Sequence, residues 1–220
     1  MRDINQKIIK FNYEKNLKSD DFFTSTSNKH VYNFLNSWPK WEKNFINLIG
    51  EKFSGKSHLI NIFLEKNKGI KINSDDISND FLQKIKIYEN IIVEDLTKKI
   101  NENLLFTLIN IIDQDNKYLI VTSTIPIVDF KFKLNDLNSR ATNFILSQIE
   151  KPGDDLIYAL ILKNLSDRQI SIDQKLIEFI IKRIDRTYGK ISDFIYKIDE
   201  ISLKRKKPID FKIIKEALGE

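Results

Sequence analysis

Gly50-Glu51-Lys52-Phe53-Ser54-Gly55-Lys56-Ser57 decides the fold of this chain. The stretch fits the pattern G-x-x-x-x-G-K-[ST] at every fixed position. Its glycines let the backbone curl tightly, so that successive N–H groups face one centre and make an anion cradle. Upstream, Phe45-Ile46-Asn47-Leu48-Ile49 reads as a buried strand, and downstream Ser57 to Leu64 carries helical apolar spacing. Strand, loop and helix in that order are the context in which the motif holds phosphate, because the helix start adds the positive end of its dipole. Lys56 is expected to reach the β- and γ-phosphates of a bound nucleotide, and Ser57 to ligate Mg2+. The whole run from Gly50 to Ser57, including Glu51, Lys52, Phe53, Ser54 and Gly55, is expected to line that site.

Working outward, Asn28 to Ser37 spaces Val31, Phe34 and Leu35 as a short helix that ends at Ser37-Trp38-Pro39. Gly69 to Asn73 reads as a second strand, Asp76 to Ile87 as a helix, and Asn90 to Val93 as a buried strand ending in Glu94 and Asp95. Asn101 to Asp113 places Leu104, Leu105, Leu108, Ile109 and Ile112 on one helical face. Tyr118 to Ser123 and Asn143 to Leu146 complete five strands. Apolar strands alternating with helices predict a parallel sheet covered on both faces, an α/β domain. After Lys151-Pro152-Gly153 the strand signal stops. Asp154 to Leu165, with Asp154 as N-cap, a helix to Ile184 opened by a capping box at Ser171 to Gln174, a helix around Ile191 to Ile198, and one from Pro208 to Leu218 predict a small all-helical unit. The expected organisation is a flexible leader at 1–20, the α/β domain at 21–150 and the helical domain at 151–220.

Two more strand tips carry chemistry. A P-loop needs a carboxylate on a neighbouring strand to hold Mg2+, and a second acid can orient an attacking water. Glu94 and Asp95 fill those places, as metal-binding and catalytic candidates. The first acid is Glu where Asp is usual, and the longer arm argues against fast hydrolysis. At the third tip, Thr122-Ser123-Thr124, Ser123 is a candidate for the γ-phosphate; hydroxyls at a strand end with no ligand role are the other reading.

Composition narrows the class. Apolar residues make up 41 % of the 220 positions and charged residues 30 %, a balance that can bury a core. No apolar run approaches the ~18 residues of a membrane span, and no signal-peptide core opens the chain. Cysteine is absent, which excludes disulfides, thiolate metal sites and a thiol nucleophile. These features fit a cytoplasmic protein. The net charge of +5 admits a nucleic-acid partner, but the lysines are dispersed, as AT-rich coding produces. The one local cluster, Lys204-Arg205-Lys206-Lys207, reads as a solvated helix end or loop.

The P-loop, the acid pair, the polar strand tip, Asp136-Leu137-Asn138-Ser139-Arg140 and the closing helices together resemble the AAA+ ATPases, and within them the DnaA group. The segment Asp136 to Arg140 is similar to that group's arginine stretch before the last strand. Glu51 to His58 with Leu59 resembles its P-loop, which usually ends Gly-Lys-Thr/Ser-His-Leu, so His58 joins the expected nucleotide-binding residues. The likeness runs from about Phe22 to Leu218. It implies an AAA+ P-loop domain with a parallel five-stranded sheet, followed by a helical lid. ADP or ATP with Mg2+ would bind between the two.

The chain stops at Glu220, after the lid, so the group's C-terminal helix-turn-helix domain is expected to be absent. That short form is similar to the Hda-type members, which act with the DNA-loaded sliding clamp to promote hydrolysis of DnaA-bound ATP. Those members begin with a clamp-binding peptide of the type Gln-Leu-x-Leu-x-Leu/Phe. Gln6, Ile9 and Phe11 of Gln6-Lys7-Ile8-Ile9-Lys10-Phe11 fit it, and Lys7 does not. A leader with incidental apolar residues is the other reading. By the same resemblance Arg140 would be an arginine finger offered to a neighbouring subunit; otherwise it is a surface arginine paired with Asp136 at i, i+4. In the lid, Gly189 stands where the family places an arginine. Lys190 beside it is the candidate substitute and Arg186 an outside one, which implies slow intrinsic hydrolysis with ADP as the resting ligand. The expected partners are DnaA, the DNA polymerase III sliding clamp and further copies of the chain, with DNA contact indirect or weak and no membrane. The alternatives are an independently active ATPase similar to the DnaC helicase loader and a DNA-bound adaptor.

Overall fold

A computed structural model of the chain describes residues 21–220; Gln6, Ile9 and Phe11 lie outside them. Five strands, β1 (Phe45–Ile49), β2 (Gly69–Asn73), β3 (Asn90–Leu96), β4 (Tyr118–Ser123) and β5 (Ile145–Gln148), form one sheet in the order β2-β3-β4-β1-β5, every pair parallel. From β1 the chain jumps to the far edge, walks back through β3 and β4, then crosses β1 to reach β5. The loop after β1 therefore lies at the C-terminal edge of the sheet beside the point where the strand order reverses, where open α/β sheets bind ligands.

The central strands β1, β3 and β4 are largely apolar because both faces are covered. Phe45, Ile91, Leu119 and Val121 point to one face, where they meet Leu105, Leu108, Ile109 and Ile112 of α4 (Glu102–Gln114) and Leu137 and Ala141 of α5 (Asn135–Ala141). Ile46, Leu48, Ile92 and Ile120 point to the other, against Val31 and Leu35 of α1 (Lys29–Asn36) and Leu59, Ile60 and Phe63 of α2 (Lys56–Lys66). Alternation along each strand deals its residues to the two layers. With Asn90, Thr122, Ser123 and Ser147, Asn47 is one of the buried polar exceptions. Its Nδ2 donates to the Val121 carbonyl and Ser123 Oγ at 3.1 and 2.8 Å, and its Oδ1 accepts from Ile127 N at 2.7 Å. That pairing offsets the desolvation cost and pins the turn after β4 to β1.

Some boundaries differ from the sequence reading, each for a local reason. The expected helix over 76–87 is broken into a 3-10 turn at Ser74–Asp76, α3 (Asn79–Lys84) and a second 3-10 turn at Ile85–Ile87. Ser78 Oγ accepts from Phe81 N and opens a new helix in the middle of the stretch. The fifth strand starts at Ile145 rather than Asn143; Phe144 is apolar because it packs on Phe45, with ring centroids 5.4 Å apart, and not because it pairs in the sheet.

Beyond Gly153 come α6 (Asp154–Ser166), α7 (Gln174–Ile181), α8 (Tyr188–Arg205) and α9 (Phe211–Leu218), around a separate core that includes Ile157, Ile161, Ile177, Ile180, Ile195, Ile198 and Ile214. Gly153, not Asp154, is the N-cap of α6. Asp154 is its first helical residue and pairs with Arg186 at 2.7 Å. The expected capping box at Ser171 is likewise displaced: Asp173 caps α7, accepting from Lys175 N at 2.7 Å. The basic run closes α8, where Lys204 pairs with Glu200 and Arg205 with Glu216. Leu156 and Tyr188 leave the helical core and pack into the layer on the α1–α2 face of the sheet.

Candidate functional site

The site is built around the loop from Gly50 to Gly55. Gly55 adopts a φ of 95°, a left-handed conformation that glycine reaches without a Cβ clash. At Gly50 a Cβ would fall 2.5 Å from Ser54 Oγ, so the loop closes only over a glycine. Ser54 Oγ is itself buried without a partner in the chain, an unspent hydrogen-bonding group inside the cradle. Phe53 is left-handed at φ 71° although it has a side chain. Such a conformation costs of order 1–3 kcal/mol and collects at functional sites.

Lys56 is 7 % exposed, and its Nζ donates to the Gly50 and Glu51 carbonyls at 2.7 and 3.0 Å. Burial pulls its pKa below the usual lysine value, and the carboxylates of Asp95 and Glu94 act in the opposite sense. The acids on β3 therefore share the field of the loop lysine. Their placement depends on an irregularity. The β3–β4 register shifts between Val93 and Leu96, and Asp95 is left-handed at φ 54°. Asp95 N donates to Thr122 Oγ1 at 2.9 Å, and its carbonyl accepts from Ser74 Oγ at 2.8 Å. In a regular strand adjacent side chains take opposite faces; the bulge breaks that rule at the two acids. The sequence reading ended the strand in these two acids, and β3 runs one residue further, to Leu96.

Glu94 Oε2 lies 3.6 Å from Lys71 Nζ, which also donates to Asn61 Oδ1 on α2 at 2.7 Å; Glu94 Oε1 is buried without a partner in the chain. Among the described residues no group of three or more His, Cys, Asp or Glu is placed to hold a metal ion. Mg2+ does not require one, since it keeps several waters and takes one or two carboxylates with substrate phosphates. The exposed hydroxyl-bearing Ser57 at the start of α2 and the free oxygen of Glu94 are the donors that suit such an ion.

Ser123 is placed differently from its expected role. It is 1 % exposed, and its hydroxyl donates inward to the Ile125 carbonyl at 2.6 Å while accepting from Asn47. In this arrangement its donor is directed to the Ile125 carbonyl and not toward the loop.

The helical half reaches the loop through α8. Tyr188 N donates to Glu51 Oε2 at 3.2 Å, and the Tyr188 hydroxyl donates to the Glu150 carbonyl at 3.0 Å. Burial pushes that hydroxyl up to about 12. Lys190 is in the first turn, its N–H taken by the N-cap Thr187 Oγ1. A Cβ on Gly189 would meet nothing within 4 Å, so there is open space beside the helix at this position. Arg186 faces Asp154 in an exposed pair, the kind that contributes little. Arg140 is on the other side of the sheet from α2. Its Nη1 pairs with Asp113 of α4 at 2.6 Å, and not with Asp136. It takes no part in its own chain's phosphate loop.

Two contacts were invisible to motif reading. Phe22 packs its ring 5.1 Å from His58 and 5.9 Å from Tyr32, over the loop at Gly55. Lys71 is an unremarkable strand lysine in sequence; only the β2–β3 register sets it beside Glu94.

No family profile matches the chain. Over 94 % of its length it is 22 % identical to the chromosomal replication initiator protein DnaA of Borreliella afzelii, and it spans about half of that protein, 48 %. Domain III of the Thermotoga maritima replication initiation protein DnaA superposes with a TM-score of 0.74 at 16 % identity, over 94 % of this chain and 97 % of that one. AMPPCP-bound DnaA from Aquifex aeolicus superposes with a TM-score of 0.66 at 18 % identity, over 85 % of this chain and 67 % of that one. The chain thus has the AAA+ α/β fold in the form found in DnaA.

Proposed function

We propose that the chain is a DnaA-related AAA+ nucleotide-binding regulator of replication initiation, which promotes hydrolysis of DnaA-bound ATP together with the DNA-loaded sliding clamp. The observation that carries the nucleotide part is Lys56. Its ammonium is buried in the P-loop, feels the charge of Asp95 and Glu94, and is held by loop carbonyls that a polyphosphate can replace. The Aquifex DnaA of the same fold holds AMPPCP. ADP or ATP is the corresponding ligand here, bound by Gly50 to Ser57 and His58, between a domain of about 21–150 and a lid of about 151–220. Mg2+ would neutralise charge between the phosphates, held by Ser57 and Glu94 with Asp95 nearby. Lys56 binds the β- and γ-oxygens. Lys190, at the start of α8, is a point charge without the bidentate fork of an arginine. Weak intrinsic hydrolysis follows.

Arg140 supports the action in trans. Its guanidinium is partly exposed on α5, away from its own loop, and is held by a surface carboxylate that a stronger anion can displace. In this reading it enters the DnaA site and stabilises charge on the transferring phosphoryl, while Gln6, Ile9 and Phe11 dock on the clamp as an extended peptide. Conversion of DnaA-bound ATP with time, on clamp-loaded DNA, is the test. Arg140→Ala should abolish the stimulation, since an arginine finger in GTPases contributes on the order of 10³–10⁵ in rate. Its own ADP affinity and thermal melt should stay unchanged, and Arg140→Lys should rescue little. A folded Arg140→Ala protein that stimulates normally rejects the role, and stimulation that persists without clamp rejects the clamp as partner.

A further inference from the structure

Glu51 is used twice. Its main-chain carbonyl takes the Lys56 ammonium at 3.0 Å, and its carboxylate takes Tyr188 N at 3.2 Å, at the start of α8. That helix has 18 residues and no acidic residue in its first turn, so the negative charge at its positive end is supplied by the phosphate loop. Tyr188 is 4 % exposed; its hydroxyl is bonded to the Glu150 carbonyl, and Glu150 N donates to the Ser27 carbonyl at 2.9 Å. The start of α8 is thereby tied to the loop, to the chain after β5 and to the N-terminal segment at one residue.

We propose that Glu51 is a positioning residue whose carboxylate competes with the terminal phosphates of a bound nucleotide, so that phosphate binding loosens the hold of the loop on α8. The inference rests on the nucleotide-binding reading of the loop. Lys56 spends two of its three donors on the Gly50 and Glu51 carbonyls, so it can give a phosphate more than one contact only by leaving them. The arriving phosphate brings like charge into the loop that carries the Glu51 carboxylate, and like charges in one site disfavour each other. The α8 N–H that Glu51 holds is a donor at a helix start, the kind of group that also suits a phosphate. Glu51 therefore lowers affinity for the most highly charged nucleotide and couples its arrival to the attachment of the helical half.

The test uses the full chain and two readouts: titration with fluorescent ADP and with a fluorescent, non-hydrolysable ATP analogue, and hydrogen exchange of the segment 187–191. Glu51→Gln keeps an amide oxygen that can accept from Tyr188 N but removes the charge. It should bind the triphosphate analogue roughly tenfold more tightly than the parent chain, and ADP with a smaller gain, as expected for one carboxylate removed from a partly screened site. Glu51→Ala should also bind more tightly. In addition it should exchange amides 187–191 roughly five- to tenfold faster without nucleotide, the loss of one helix-start acceptor. A Glu51 that only braces the helix would speed exchange in the alanine variant without raising affinity in either, and that result overturns the inference. If the unmutated chain fails to bind either nucleotide, the nucleotide-binding reading falls and this inference with it. If it binds and Glu51→Gln binds no more tightly, the inference alone falls.

Discussion

The sheet half and the helical half are held together internally in the same way and joined to each other in a different one. In the first, strands such as β1 are buried along their whole length, and two apolar layers clamp them. In the second, a run of isoleucines fills the space between four helices. Among the described residues, Leu156, Tyr188 and the partly buried Leu160 pack into the sheet-side core, and polar ties join the halves at Tyr188 and between Lys163 and Asp21. The phosphate loop lies at this joint, with Glu51 bonded to the start of α8.

Core truncation in each half should separate the two bodies. Leu48→Ala empties a fully buried site in the central strand and should cost about 2–5 kcal/mol. Because Leu48 is two residues from Gly50, nucleotide binding should fall with stability. Ile198→Ala removes a fully buried side chain from the helical core and should cost a similar amount, about 2–5 kcal/mol. Its effect on hydrogen exchange should be confined to α6–α9, leaving β1, β3 and β4 protected. Denaturant melts give the costs and exchange gives the localisation; equal loss of protection in both halves would show one cooperative unit instead.

A smaller effect is expected inside the loop. Phe53→Gly relieves a left-handed conformation and should stabilise the chain by about 1 kcal/mol, less the added entropy of glycine in the unfolded state. A raised melting temperature with retained ADP binding would mark Phe53 as strain held at the site. A lowered one would mean that its ring contacts outweigh the strain.

Much of this architecture is legible in the sequence, because the signals are local. The P-loop pattern, the largely apolar β1 and β4 and the loss of strand signal after Gly153 need no knowledge of neighbours. What the local signals leave open is set by neighbours. Ser123 looks like a ligand group because it ends a strand, but Asn47, far away in sequence, and Ile125 claim its hydroxyl. Arg140 offers Asp136 as the obvious helical partner, yet α4 packs beside α5 and supplies Asp113. Ser171 and Asp154 are good capping residues by type, and the helices start one or two positions away from them. The carboxylate of Glu51 was read only as part of the loop, since nothing in the motif says that α8 begins against it.

The central claim is that the loop from Gly50 to Ser57 binds the phosphates of an adenine nucleotide through Lys56, and one titration tests it. Fluorescent ADP is added to the chain and to Lys56→Ala, with a circular-dichroism melt to show that both are folded. Removing a charge-assisted contact of about 1.5–3 kcal/mol should weaken binding by roughly 10- to 150-fold. The melt should be unchanged or slightly raised, since a desolvated ammonium has been removed. A folded Lys56→Ala chain that binds ADP as tightly as the parent would contradict the account.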